Sequence, residues 1–464
     1  MSLRSTFTLV REAVLGNEDL DFTRMGVRRA IVLLSIPMVL EMGMEAVFAL
    51  VDIFFVSRLG KEAIATVGLT EGVLTIVYSI AWGVGMGITA VVARRTGEKD
   101  AEGAAHAAMQ GVLLTVLLGV VLALPGLLVP HRILELMGAE PAVVATGTTY
   151  MRLMLGGNVI ILLLFAINAI FRGAGDAAMA LRSLALANAV NIVLCPVLIH
   201  GIGGWAGLGV TGAALATTIG RGTGVAYQVY HLFNGRHRVS LRGVAVRLER
   251  AVMGRIVRVS AGGVAQFLIP SGSWVFLVGI VAGFGSAAVA GYTVAVRIIV
   301  FSLLPAWGMA NAASTLVGQN LGAGQPGRAA RSAWLCGHCN MVFMVGVAVC
   351  YWLAAPRLLG FFSTDPEVVA HGVEALRIVC LGYFFYAYGI VLAQAFNGAG
   401  DTLTPTWMNI ICFWALEIPI AWWLAHGLGW GTTGVFAAIA ISESALAVLS
   451  AVLFRRGRWA LVKV

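Results

Sequence analysis

Phe171-Arg172-Gly173-Ala174-Gly175-Asp176 returns 225 residues later as Phe396-Asn397-Gly398-Ala399-Gly400-Asp401. The same displacement lays Trp82-Gly83 on Trp307-Gly308, Gly97 on Gly322, Ala104 on Ala329, and Gly60, Ala63 and Ala65 on Gly285, Ala288 and Ala290. One glycine match means little in a chain with 57 glycines, but a single gap-free offset across separate segments marks an internal duplication. Around these anchors, apolar runs alternate with short polar stretches. Twelve such runs lie near 30–57, 66–93, 104–128, 144–169, 178–201, 208–232, 256–283, 287–317, 332–354, 368–394, 403–425 and 430–454. Each is long enough to cross the ~30 Å hydrocarbon layer as a helix rising 1.5 Å per residue. The duplication divides them six and six. The expected fold is an all-α integral membrane protein, with twelve transmembrane helices in two pseudo-symmetric six-helix lobes. Its expected parts are an N-terminal segment over 1–29, lobes over 30–232 and 256–454, a linker over 233–255 and a tail over 455–464.

Composition agrees. The 464 residues are 59% hydrophobic and only 11% charged, with a mean hydropathy of +0.90, whereas ordinary soluble domains carry about 25% charged residues. A soluble globule is excluded. A net charge of +9 raises the question of nucleic acid, but the basic residues lie between the apolar runs rather than in one patch. About 23 of the 31 Lys and Arg fall on the side that carries the termini, among them five before the first run, seven from Arg236 to Arg258 and four from Arg455 onward. This bias places both termini in the cytoplasm of a cell whose plasma or inner membrane the chain crosses. An even number of crossings per half gives both halves the same orientation, related by an axis along the membrane normal. Such parallel duplications carry cargo between their halves by rocking one against the other.

Charged side chains within the crossings are candidates for function, because burying one near mid-membrane costs at least ~2.5–3.5 kcal/mol. Glu41, Glu45 and Asp52 share one stripe of the first helix, since separations of 4 and 7 residues fall within about 40° at 100° per residue. The stripe is expected to face the cleft, where neighbouring carboxylates resist joint ionisation and one of them can hold a proton or a cation. Glu71, Arg297, Glu417 and Glu443 are the other intramembrane charges considered, and Glu71, Arg297 and Glu417 join Glu41 and Glu45 as expected cavity residues. Pro37, four residues before Glu41, interrupts helical hydrogen bonding and is a candidate hinge.

Several motifs resemble the multidrug and toxic compound extrusion family. They are Val317-Gly318-Gln319-Asn320-Leu321-Gly322-Ala323-Gly324, Val51-Asp52-Ile53-Phe54-Phe55-Val56-Ser57-Arg58-Leu59-Gly60, the two Gly-Ala-Gly-Asp loops, and Gly209-Val210-Thr211-Gly212-Ala213-Ala214-Leu215-Ala216-Thr217. In matching order they span roughly residues 25–455. The resemblance implies a V-shaped pair of lobes exporting cationic or amphipathic organic compounds against a proton or sodium gradient. It makes Asp52 the coupling-ion residue, with Asn191, Cys195, the Ala213 carbonyl and Thr217 as companions. Cys195 departs from an aspartate common in the family, and Glu45 from a glutamine. The place 225 residues beyond Asp52 is Leu277, so the second copy of that site lacks its acid.

Other signals lead away from chemistry. Cys336-Gly337-His338-Cys339 has the spacing of a thiol oxidoreductase but opens an apolar helix with no βαβ pattern around it. Gly83, Gly85 and Gly87 follow no strand, and no G-x-x-x-x-G-K-[ST] loop is present, so ATP hydrolysis is not expected to drive this chain. No catalytic, cofactor-binding or metal-ligating set is expected. The expected activity is an antiporter of small organic compounds, driven by protons in preference to sodium. It would work as a monomer in the bilayer, without nucleic acid. A flippase for a lipid-linked anionic precursor is the alternative, and a membrane-embedded thiol enzyme the third reading.

Overall fold

A computed structural model describes residues 3–16 and 20–463. Among these, every regular element is helical. Among the described residues nine helices are long and apolar enough to cross a membrane: Lys61–Gly97, Ala101–Leu128, Pro141–Ala174, Ala177–His200, Arg250–Ala282, Ser286–Gly322, Pro326–Phe362, Leu403–Gly427 and Thr432–Arg455. The pair Pro366–Leu381 and Tyr383–Gly398, bent by 61°, supplies a tenth. Val27–Val56 and Val210–Phe233, with 30 and 24 residues, complete the twelve. These last two carry Glu41, Glu45, Asp52 and Arg221, the charges from which the candidate site is built. Each of the twelve apolar runs thus falls on one crossing, numbered first to twelfth in chain order below.

Leucine, valine and phenylalanine stand exposed along the outer faces, as at Leu117, Val121, Leu124, Val342, Val349 and Leu353. Such faces suit lipid rather than water, because a helix satisfies its own backbone polar groups and needs only apolar contact outside. Inside each lobe the packing depends on small residues. Gly212, Gly220 and Gly224 of the sixth crossing lie against the carbonyls of Leu198, Ala187 and Ser183 in the fifth, so a side chain at any of them would separate the pair.

The duplication is visible in the contacts between lobes. A methyl group on Gly83 would collide with Val264, and one on Gly308 with Met38 and Val39. Subtracting 225 from Val264 gives Val39, so these are two copies of one contact. Likewise a methyl on Gly97 would overlap the Gln319 carbonyl, and one on Gly322 the Arg94 carbonyl, and 94 and 319 differ by 225. Gln319 Nε2 donates to the Gly173 carbonyl at 2.8 Å, while Arg94 Nη2 reaches the Ala399 carbonyl at 3.5 Å and the Val462 carbonyl at 2.7 Å. The residues that recur in sequence are therefore the ones that let the lobes meet across their two-fold axis. They close the end of the molecule that carries both termini. Breaks in the helices recur too: the fourth crossing is interrupted at Gly157 and the tenth at Gly382, again 225 apart.

Two features lie outside the duplication. A helix over Leu3–Leu15 precedes the first crossing and is pinned to it where Arg29 Nη2 contacts Glu12 Oε2 at 2.9 Å. The eleventh crossing is π-helical over Ile410–Glu417 and Trp423–Gly427. Pro419 has no N–H to offer the Ala415 carbonyl, which disrupts α-helical bonding there.

Candidate functional site

The first, fifth and sixth crossings converge on Asp52. Asn191 and Cys195 stand one turn apart on the fifth, and Ala213 and Thr217 one turn apart on the sixth; all four are buried. Thr217 Oγ1 donates to Asp52 Oδ2 at 2.9 Å, and Asn191 Nδ2 to Oδ1 at 3.3 Å. Cys195 Sγ approaches Oδ1 at 3.6 Å, and Asn191 Nδ2 also lies 3.4 Å from Thr217 Oγ1. The Ala213 carbonyl is an acceptor, so it can engage the carboxylate only through a shared proton or ion. The five residues expected from sequence thus gather in one region, with half-buried Asp52 at its centre.

The rest of the acid stripe is organised differently from the expectation. Glu41 is 1% exposed; its Oε1 accepts from Arg172 Nη1 at 3.0 Å and Asn168 Nδ2 at 2.9 Å. Arg172 lies on the wall of an internal pocket with Met42 and Trp82 and covers Glu41, so Glu41 does not line the cavity as expected. Glu45 Oε1 accepts from Arg221 Nη2 at 2.8 Å. Arg221 is held over the Phe48 ring, its guanidinium carbon 4.4 Å from the centroid. Three carboxylates therefore meet two guanidiniums. Asp52 is the one left without a cation in hydrogen-bond contact, although Arg221 acts on it through space.

Glu71 and Arg297, expected in the cavity, are exposed on opposite lobes and interact electrostatically, with Asp52 also acting on Glu71. Glu417 is 1% exposed and is not on the wall of the central cavity; Glu443 takes that place. The helix of the first crossing runs unbroken from Val27 to Val56 through Pro37, and the Gly308 contact of the opposite lobe falls on the next two residues. Cys336 is fully buried while Cys339 is exposed, so the two thiols occupy different surroundings.

Between the lobes lies an open cavity whose walls include Trp82, Phe267, Trp274, Trp307 and Tyr386. Trp82 and Trp307, the repeated tryptophans, meet edge to face at 5.3 Å between centroids, with Phe267 at 4.9 and 5.2 Å from them. Sequence reasoning used these tryptophans as markers of duplication but did not place them in the cavity. Their recurrence next to an interface glycine was the available signal.

Two lobes of six crossings, closed at one end around an aromatic cavity and carrying polar clusters within the membrane, define a polytopic membrane transporter. The chain belongs to the MatE family, which it matches over residues 37–197 and again over 263–423, once in each lobe. It is 26% identical over 324 residues to a probable multidrug resistance protein NorM of Thermotoga maritima, covering 69% of each chain. It is also 26% identical over 393 residues to an FAD transporter of Shewanella oneidensis, covering 85% of this chain and 87% of that one. A multidrug resistance MATE family transporter of the MOP superfamily, solved in an outward-facing conformation, superposes with a TM-score of 0.89 at 27% identity, over 96% of this chain and 98% of that chain.

Proposed function

We propose that this chain is a secondary antiporter that exports small cationic or amphipathic organic compounds by alternating access, with Asp52 as the group that carries the driving ion. The observation behind this reading is the charge count of the first lobe. Glu41 and Glu45 are held by Arg172 and Arg221, while Asp52 is ringed by neutral donors and is free to exchange its countercharge. The lobes, over 30–232 and 256–454, would rock about the contacts that now close the terminus-bearing end, and the likeness to an outward-facing transporter supports reading that end as the cytoplasmic one.

The driving ion is the proton. A bound sodium ion needs several oxygen ligands in place of its water, and around Asp52 a thiol stands where a second carboxylate would serve best. Asn191, Thr217 and one carbonyl are the remaining oxygens, whereas a proton needs only the carboxylate. Ethidium efflux from a pump-deficient bacterium expressing this chain is expected to collapse with a protonophore and to differ little between sodium and potassium buffers. Cys195→Asp is expected to add sodium dependence. Transport that requires sodium while the proton gradient is intact would refute this assignment.

Arg172 on a pocket wall and the FAD transporter relative favour a second reading, with anionic cargo in that lobe. Its weakness is that Glu41 already matches the Arg172 charge.

A further inference from the structure

The second lobe holds two acids that the Asp52 cluster does not use. Glu417 closes the π-helical stretch of the eleventh crossing; its Oε2 accepts from Ser273 Oγ at 3.1 Å, the Ser442 hydroxyl also acts on the carboxyl, and among the described residues its buried Oε1 has no partner in hydrogen-bonding geometry. Glu443 of the twelfth crossing is its acidic neighbour, and among the described residues Glu443 Oε2 is also buried without a partner. Tyr292 Oη, which Glu417 acts on, is a third orphaned atom. Among the described residues no Lys, Arg or His acts on either acid. The contrast with the first lobe is sharp in physical terms. There each buried glutamate has its own guanidinium, as the desolvation of a carboxylate requires. Here, among the described residues, no cation is paired with either acid.

Glu443 lines both the central cavity and a second, narrow pocket whose walls include Trp274, Tyr292, Tyr383 and Tyr386. Trp274 and Tyr386 are common to both spaces. Aromatic faces attract cations, and the attraction strengthens away from water. Sodium would need a shell of oxygens, but these walls are mainly carbon. We infer that Glu443, backed by Glu417 and flanked by Trp274 and Tyr386, forms a second-lobe site for the charged end of a permanent organic cation of the quaternary ammonium or aryl-phosphonium kind. This inference rests on the exporter reading and deepens it. The first lobe carries the driving proton at Asp52, and the second lobe holds cargo.

The test is equilibrium binding of ethidium and of tetraphenylphosphonium to the full chain in lipid nanodiscs. Glu443→Gln is expected to weaken both by about tenfold or more, since it removes the charge and keeps the volume. Glu443→Asp, which keeps the charge, is expected to stay within about threefold of the parent. Trp274→Leu, which leaves both acids intact, is expected to weaken tetraphenylphosphonium severalfold and serves if Glu443→Gln does not fold. Unchanged affinity in folded Glu443→Gln, or in Trp274→Leu, would overturn the site while leaving the exporter reading in place. So would displacement of the probe by sodium at constant ionic strength in the parent but not in Glu443→Gln, because that marks an inorganic ion site. A parent protein that binds neither probe overturns the exporter reading and this site together.

Discussion

At the scale of single residues, the first lobe is a problem in charge matching. A carboxylate removed from water is tolerated when a guanidinium accompanies it, and removing one member of such a pair leaves the other uncompensated. Arg172→Gln is therefore expected to destabilise the protein by about 3–5 kcal/mol, read as a lower unfolding temperature in detergent. The double variant Glu41→Gln with Arg172→Gln should recover most of the loss. A double variant as unstable as the single one would show that the pair is not the source. Asp52 differs because its partners are neutral. Asp52→Asn keeps the volume and removes the exchangeable charge, so it is expected to insert at parental levels and to lose active efflux; full transport at equal expression would remove Asp52 from coupling. How far these roles could be read from sequence follows from distance along the chain. Spacing within the first helix placed Glu41, Glu45 and Asp52 on one stripe. The guanidiniums that pair with Glu41 and Glu45 lie 131 and 176 residues away, and no local pattern announces them.

At the scale of elements, glycines decide where helices touch. Gly97 and Gly322 end the second and eighth crossings, and each lies against a carbonyl of the opposite lobe with no room for a side chain. Gly322→Val is expected to prevent this closure and to populate a form open at the terminus-bearing end. Spin labels at Lys99 and Arg331 would report longer distances than in the parent. Gly97→Val should do the same, because the two contacts are copies, and an unchanged distance in both variants would show that these glycines do not govern closure. The eleventh crossing shows where element-level reading from sequence fails. A π-helical turn takes more residues than the 3.6 of an α-helix, so periodic spacing misplaces every side chain beyond it. The expectation of Glu417 in the cavity rests only on its being a charge inside a crossing, which fixes depth but not direction, and the structure buries it while Glu443 lines the wall.

At the scale of the whole molecule, six crossings per lobe give both halves one orientation, and loops of equal rank emerge on the same side. Single cysteines replacing Arg242 and Ser286 in a cysteine-free background should label from opposite sides of the membrane. Labelling from the same side would contradict a two-lobe arrangement with an even number of crossings in each. The same symmetry accounts for two matches to the family, one per lobe, and for paired interruptions at Gly157 and Gly382. The side chains have diverged within it: Leu277 stands at the place of Asp52, while Glu417 and Glu443 bring acids of their own.

The sequence by itself determined the number of crossings, the duplication and the acid stripe of the first helix, whereas the companions of Asp52 entered only through the family resemblance. Apolar length, a constant offset and helical spacing are local or self-referential properties, legible along the chain. Only the tertiary structure decided which charges cancel, which tryptophans enclose the cavity and which acid of the second lobe meets it. Each of these depends on a contact between residues more than a hundred positions apart or on a helix that departs from α geometry, and neither leaves a periodic trace in the order of amino acids.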